Sequence, residues 1–252
     1  MQPPSEMTKP STAHTFWEHL DELRSVILRT LGGIVLCAAV AFCFKDTLFA
    51  VILAPTHSDF ITYRLIGAEP FHLSLVNTML TEQFITHLRI AAYVGLLMAS
   101  PYVIYQLMRY LSPALYENER RHVRTIVSSA YLMFILGTVV CYLVLFPLTV
   151  RFLGTYQVSD EVTPLLSLQS YTDTLLMMCL VMGIVFELPV LCALLSRMHL
   201  LTRDAMRTYR RHAMVAILIV AAVITPTGDV FTLLVVSAPI YLLYELSILL
   251  VK

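Results

Sequence analysis

Long apolar runs separated by polar segments are the main feature of this chain. Because an α-helix rises about 1.5 Å per residue, roughly 20 apolar residues cross the ~30 Å hydrocarbon core of a bilayer. The pattern predicts an all-α integral membrane protein with six transmembrane helices in one domain, residues 1–252. The predicted spans cover residues 26–44, 85–107, 125–146, 171–196, 213–225 and 230–251.

Polar segments connect the predicted spans. Residues 1–25 form an N-terminal segment that includes a short amphipathic helix directly before the first span. Residues 46–83 are predicted to be a polar loop. The third span is expected to end at Pro147, so that residues 148–169 form a second loop on the same side.

The composition supports the same class of protein. Apolar residues make up 58% of the chain, charged residues 13%, and the mean hydropathy is +0.76. These values lie outside the range of soluble domains. The formal net charge is zero, which argues against a nucleic-acid partner. The five cysteines lie in apolar runs without CxxC spacing, so they are interpreted as small core residues.

Basic residues are concentrated on one face of the predicted bundle. With six spans, both termini and the connections 108–124 and 197–211 share a face, and most of the Arg and Lys residues lie there. Basic connections are retained preferentially in the cytoplasm. Both termini are therefore predicted to be cytoplasmic, in a protein of the cell (inner) membrane.

One carboxylate interrupts the fourth apolar run. Glu187 lies near its centre, two residues before Pro189, which removes a backbone donor and weakens the helix beside the acid. A charge at the centre of a bilayer costs at least about 2.5 kcal/mol, so such residues usually serve a function. The simpler alternative is an acid that a neighbouring helix satisfies.

Common catalytic motifs do not occur in the sequence. There is no G-x-S-x-G, H-E-x-x-H, G-x-x-x-x-G-K-[ST] or Rossmann glycine pattern. The eight histidines are scattered without ligand spacing. An enzyme is therefore disfavoured, and neither a cofactor nor a metal site is predicted.

Six short motifs follow one another along the chain. They are His19-Leu20-x-Glu22-Leu23-Arg24, Pro101-x-x-x-Tyr105-Gln106, Pro113-Ala114-Leu115-Tyr116-x-x-Glu119-Arg120, Phe146-Pro147-Leu148, Gly183-x-x-Phe186-Glu187-Leu188-Pro189-Val190 and Leu243-Tyr244-Glu245. In this order and spacing they resemble the TatC component of the twin-arginine protein translocase, over nearly the whole chain.

The resemblance implies a concave, cup-shaped bundle and a receptor for signal peptides with paired arginines. Members of this family work with TatA-type and TatB-type single-span partners in a homo-oligomeric complex, and they export folded proteins at the expense of the proton gradient. By position, the signal-peptide contacts would be Glu22, Glu119, His19, Arg24 and Arg120. The intramembrane polar site would be Glu187 with Pro189, and structural or partner contacts would be Pro55, Pro101, Gln106, Tyr110 and Glu245.

The chemistry of paired arginines fits two separated carboxylates. A guanidinium presents a planar fork of donors that a carboxylate accepts in two parallel bonds, and lysine lacks this geometry. Glu22 and Glu119 lie on cytoplasmic segments next to different predicted spans. They are predicted to form the recognition site; solvated acids neutralised by Arg24 and Arg120 are the alternative.

Two other functions remain open from the sequence. A proton-coupled small-molecule transporter would use Glu187 as its proton carrier, although no internal repeat is visible. A structural scaffold would share every feature except recognition of paired arginines. The sequence also departs from the family at Thr225-Pro226-Thr227-Gly228-Asp229, where one residue is added and one proline lost, which leaves the role of Asp229 open.

Overall fold

The structure is a computed structural model that describes residues 12–67, 73–111, 123–155, 166–198, 200–225 and 229–251. In these ranges the chain forms the helices α1 (Thr12–Phe42), α2 (Lys45–Leu53), α3 (Ile61–Ile66), α4 (Glu82–Leu111), α5 (Val123–Val140), α6 (Phe146–Thr155), α7 (Leu168–Val185), α8 (Leu188–Arg197), α9 (Arg203–Thr208), α10 (Arg210–Ile224) and α11 (Val230–Leu250). A 3-10 helix (Ala54–Thr56) follows α2, and a π-helical turn (Cys141–Leu145) joins α5 to α6. Two short strands, β1 (Leu75–Val76) and β2 (Leu166–Ser167), pair in parallel.

Five helical segments within the described ranges are long and apolar enough to cross a bilayer. They are Leu20–Phe42, Glu82–Tyr110, Arg124–Thr155, Leu168–Arg197 and Val230–Leu250. The predicted fifth span corresponds to α10, whose 15 residues extend about 22 Å, less than the hydrocarbon thickness. The prediction of an all-α membrane bundle is confirmed.

Both predicted loops contain helices within their described residues, which corrects the sequence-based interpretation. Residues 46–83 contain most of α2, all of α3 and the strand β1. The third span does not end at Pro147, because the π-helical turn leads directly into α6, which continues to Thr155. Pro147 cannot donate to the Leu143 carbonyl, and the hydroxyl of Thr62 donates to that carbonyl instead. A hydroxyl from another segment therefore compensates for the proline.

Small residues allow the spans to approach closely. A Cβ atom on Gly95 of α4 would lie 2.5 Å from the backbone nitrogen of Ala38 on α1. A Cβ atom on Gly137 of α5 would lie 2.6 Å from the carbonyl oxygen of Met182 on α7. Backbone contact of this kind is the usual way in which helices pack in membranes. The close contacts of α1 with α4 and of α5 with α7 therefore require glycine at these positions.

The two ends of the bundle differ in composition. We call the end formed by residues 43–67, 73–81, 146–155 and 166–169 the strand end, because β1 pairs with β2 there. The opposite end, the basic end, contains the arginines at the ends of α4, α5, α8, α9 and α10: Arg109, Arg124, Arg197, Arg203, Arg207, Arg210 and Arg211.

Tyrosine hydroxyls form hydrogen bonds to backbone carbonyls at the strand end. The Tyr63 hydroxyl, on a side chain that is 1% exposed, lies 3.0 Å from the Pro55 carbonyl and 3.1 Å from the Pro147 carbonyl. Burial raises the pKa of this hydroxyl well above its usual value, with Arg151 opposing the shift, so the group stays protonated and donates. Tyr142 and Tyr171 likewise donate to the last carbonyls of α2. The bonds from Tyr142 and Tyr171 go to the last turn of α2, where helix carbonyls lack regular i+4 donors.

Candidate functional site

Glu187 lies at a break in the fourth span. Pro189 has no N–H to donate to the Val185 carbonyl, so α7 ends at Val185 and α8 begins at Leu188. The Glu187 N–H donates instead to the Ile184 carbonyl at 3.0 Å, a tighter turn than an α-helix makes. The break turns the carboxylate toward the side of the span that meets α4 and α5.

The Glu187 side chain lines a cavity of about 340 Å³ between α4, α5 and the α7–α8 break. Among the described residues, its other lining side chains are apolar except for Ser100. The carboxylate is half-buried, and its Oε1 atom has no hydrogen-bond partner among the residues that the structure describes. An unsatisfied acceptor in an apolar wall favours a ligand or helix that brings a donor. The alternative that a neighbouring helix satisfies Glu187 is therefore not supported within the described part of the chain.

Glu22 and Arg24 lie on α1, and both side chains are exposed. Glu22 makes no hydrogen bond or ion pair with any residue in the described ranges. It precedes the end of α1 at Phe42 by 20 positions, about 30 Å along the helix, which places it one hydrocarbon thickness from the strand end. Its carboxylate is therefore available at the basic end. The backbone of His19 is part of the same helix.

Glu119 and Arg120 lie outside the described residues, which have a gap at 112–122. The helices that flank this gap, α4 and α5, end and begin at the basic end. The predicted pairing of Glu22 with Glu119 in one recognition site therefore stays a prediction.

Glu245 of α11 is part of a polar cluster with α10. Its Oε2 accepts from Arg210 at 2.7 Å, and its Oε1 accepts from the Tyr241 hydroxyl at 3.1 Å. The pair is partly exposed, so the attraction is weakened by solvent. The contact holds the start of the short helix α10 against α11.

Four other residues chosen from the sequence occupy structural positions. Pro55 is buried beneath Tyr63. Pro101 leaves the Leu97 carbonyl without a helical donor, and the Ser100 hydroxyl donates to it at 2.7 Å. The other two lie on α4: Gln106, which is buried and donates to Tyr102, and Tyr110, which is half-buried. Asp229, whose role the sequence left open, caps α11 by accepting from the Thr232 N–H.

Glu82 was not selected from the sequence, yet it accepts four hydrogen bonds at the strand end. The side chain is 1% exposed. It accepts from the Thr78 N–H at 2.6 Å, the Thr78 hydroxyl at 2.9 Å, the Met79 N–H at 3.1 Å and the Gln169 N–H at 2.7 Å. Because Gln169 lies in the first turn of α7, two residues after β2, the carboxylate joins two segments 87 positions apart. Only its position at the first residue of a helix marked it in the sequence.

Asp173 was also missed. It forms an ion pair with Arg89 that links α4 to α7 near the strand end, although the sequence suggested only that Arg89 would extend toward the interface. An acid within the first turns of an apolar span was the available signal. No group of three His, Cys, Asp or Glu side chains within the described ranges is arranged to hold a metal ion.

Comparison with known proteins agrees with the motifs and the fold. A family model described as Sec-independent protein translocase protein (TatC) matches residues 18–239. The TatC protein of Blattabacterium sp. subsp. Periplaneta americana is 31% identical over 248 residues, covering 92% of this chain and 93% of the relative. The TatC protein of Koribacter versatilis is 34% identical over 234 residues, covering 93% and 83%.

Solved structures give the same result for the fold. A crystal structure of the twin arginine translocase receptor TatC in DDM superimposes with a TM-score of 0.80 at 29% identity and covers 93% of this chain and 99% of that one. A second crystal structure of the same receptor gives a TM-score of 0.78. A match over most of the length in sequence and in fold leaves one assignment: the chain belongs to the TatC family of Sec-independent protein translocase proteins.

Proposed function

We propose that this multi-pass membrane protein is the signal-peptide receptor of its translocase, with both termini and the basic end in the cytoplasm of a bacterial cell. In this proposal Glu22 and Glu119 accept the paired arginines of a signal peptide, with His19, Arg24 and Arg120 beside them. TatA-type and TatB-type single-span proteins bind elsewhere on the bundle, several copies assemble, and the proton gradient drives export of the folded cargo.

The observation that carries the proposal is the free carboxylate of Glu22 at the basic end. It is exposed, it lies about one hydrocarbon thickness from the strand end, and no residue of the described ranges neutralises it. A carboxylate in this state accepts a guanidinium in two parallel bonds without first breaking another contact. The distribution of arginines supports a cytoplasmic position for this end.

Replacing Glu22 by glutamine is expected to weaken binding of a twin-arginine peptide about tenfold, because a charge-assisted bond becomes a neutral one. Fluorescence anisotropy with the full chain in nanodiscs measures the change, and a twin-lysine peptide serves as the ligand control. Asp21→Asn is the matched variant, since Asp21 is the adjacent exposed acid.

The same comparison applies to Glu119→Gln, with Glu117→Gln as its matched control. Equal affinity of the unchanged protein for both peptides would remove arginine recognition from the proposal. A loss in Asp21→Asn as large as that in Glu22→Gln would instead indicate a general effect of negative charge.

Glu187 is proposed to bind a single-span partner helix that carries a polar residue. The support is the unsatisfied Oε1 atom in an otherwise apolar cavity that a helix from the lipid can approach. The transporter alternative receives no such support, because Ser100 is the only other polar residue among the described residues that line this cavity. A proton relay needs a chain of ionisable groups.

Glu187→Leu is expected to reduce co-purification of a TatA-type or TatB-type partner about fivefold, because one interhelical hydrogen bond is lost. Glu187→Gln should keep most of the association, since an amide also forms hydrogen bonds. Leu191→Ala, in the wall of the same cavity, is the control for packing. Normal association of Glu187→Leu would show that the carboxylate is not a partner contact, and export at the normal rate by Glu187→Gln would show that its protonation is not required.

A further inference from the structure

A second cavity lies at the strand end, apart from Glu187. It has a volume of about 520 Å³ and lies between the start of α2 and the first turns of α4. Its polar lining residues are Lys45, Gln83 and His87. Its apolar lining includes Phe49, Leu80 and Phe84. The cavity therefore suits an amphipathic ligand.

The polar part carries an unpaired cation. Lys45 is exposed and forms no ion pair with a carboxylate in the described ranges. His87 is 7% exposed and stacks on Phe42 at a ring distance of 4.1 Å, and its Nε2 atom has no hydrogen-bond partner among the described residues. Both side chains can donate to an anionic oxygen. The chemistry indicates a phosphate-bearing group.

The apolar part lies at the level where two spans leave the hydrocarbon. The helix α1 ends at Phe42 and α4 begins at Glu82, so the cavity is at the boundary of the bilayer. Phe84 is 63% exposed and Leu80 is fully exposed. Aromatic and basic side chains at this depth meet lipid headgroups while their apolar neighbours meet acyl chains.

We propose that this cavity binds an anionic phospholipid of the leaflet at the strand end. The phosphate lies beside Lys45 and His87, and an acyl chain covers Leu80 and Phe84. Free phosphate ion shares the headgroup chemistry, but it leaves the apolar part uncovered. The site is separate from the signal-peptide and partner sites, so it does not depend on the proposed function.

Native mass spectrometry of the full chain, titrated with phosphatidylglycerol or phosphatidylcholine, tests the assignment. We expect phosphatidylglycerol to bind about fivefold more tightly than phosphatidylcholine, because one lysine beside an anionic lipid contributes about 1 kcal/mol. Lys45→Gln should remove this preference, and Phe84→Ala should weaken both lipids. Arg64→Gln is the matched control, because Arg64 is an exposed cation at the same end that does not line the cavity.

Three outcomes would overturn the proposal. The first is equal affinity of the unchanged protein for the two lipids, and the second is a preference that survives Lys45→Gln. The third is competition by inorganic phosphate together with an unchanged affinity in Phe84→Ala, which would indicate an ion site without lipid. Lys45 and Phe84 are both exposed, so these variants are expected to fold, and circular dichroism checks this.

Discussion

Glu82→Ala is expected to lower the melting temperature of the protein by about 10 °C. The substitution leaves the backbone N–H groups of Thr78, Met79 and Gln169 and the hydroxyl of Thr78 without their acceptor. The four hydrogen bonds are only partly buried, so water can reach some of the freed donors, and each lost bond is expected to cost about 1 kcal/mol. Thermal unfolding in detergent, followed by circular dichroism, measures the shift.

The matched control for Glu82 is Asp59→Ala. Asp59 is also an acid at the strand end, but it is exposed and pairs with Arg64 at 3.4 Å. Exposed ion pairs contribute little to stability, so the melting temperature of the Asp59→Ala variant should be nearly that of the unchanged protein. Glu82→Gln should lie between the two, because the amide keeps one oxygen acceptor. A small effect of Glu82→Ala would mean that β1 and β2 stay joined without the carboxylate.

Gly137→Ala is expected to destabilise the protein by about 2–3 kcal/mol, because the added methyl group overpacks the α5–α7 contact. Its Cβ would lie 2.6 Å from the Met182 carbonyl oxygen and 2.8 Å from the Phe186 side chain. The carbonyl belongs to the backbone of α7, so it cannot move away as a flexible side chain would. The helices must separate, and Phe186, directly before Glu187, must shift.

The control for Gly137 is Gly32→Ala on α1, where no other atom lies within 4 Å of the added Cβ. Alanine there should leave stability unchanged or raise it slightly, since alanine has the higher helix propensity. Unfolding of both variants in detergent gives the comparison. Equal stability of the two variants would contradict the assignment of Gly137 as the point of closest approach.

Much of the fold could be predicted from the apolar pattern. The segments that became α1, α4, α5, α7 and α11 were each recognised, because roughly 20 apolar residues have few alternatives to a membrane helix. The prediction was wrong at the strand end. There α2, α3 and α6 form within segments that looked like loops, since they are short and are stabilised by contacts with the spans.

The sequence showed that an acid lies in the fourth span, but it did not show which residues the acids of the structure bond. An acid in an apolar run is visible in the sequence, so Glu187 was found. Glu82 and Asp173 were overlooked because each lies close to the start of a span. A charge there costs little free energy, so it does not indicate a function in the sequence. Their importance follows from bonds to residues more than 80 positions away, which no local pattern contains.

The sequence by itself determined which segments enter the bilayer, which end of the bundle is basic, and which acid lies within a span. These properties depend on composition and on helical rise alone. The tertiary structure decided what each polar group meets. It placed Glu187 beside a cavity, brought the Thr62 hydroxyl to the Leu143 carbonyl, and joined the Glu82 carboxylate to the Gln169 N–H at the start of α7. Such contacts depend on how closely the helices pack, and glycine and proline positions control that packing only once the spans have assembled.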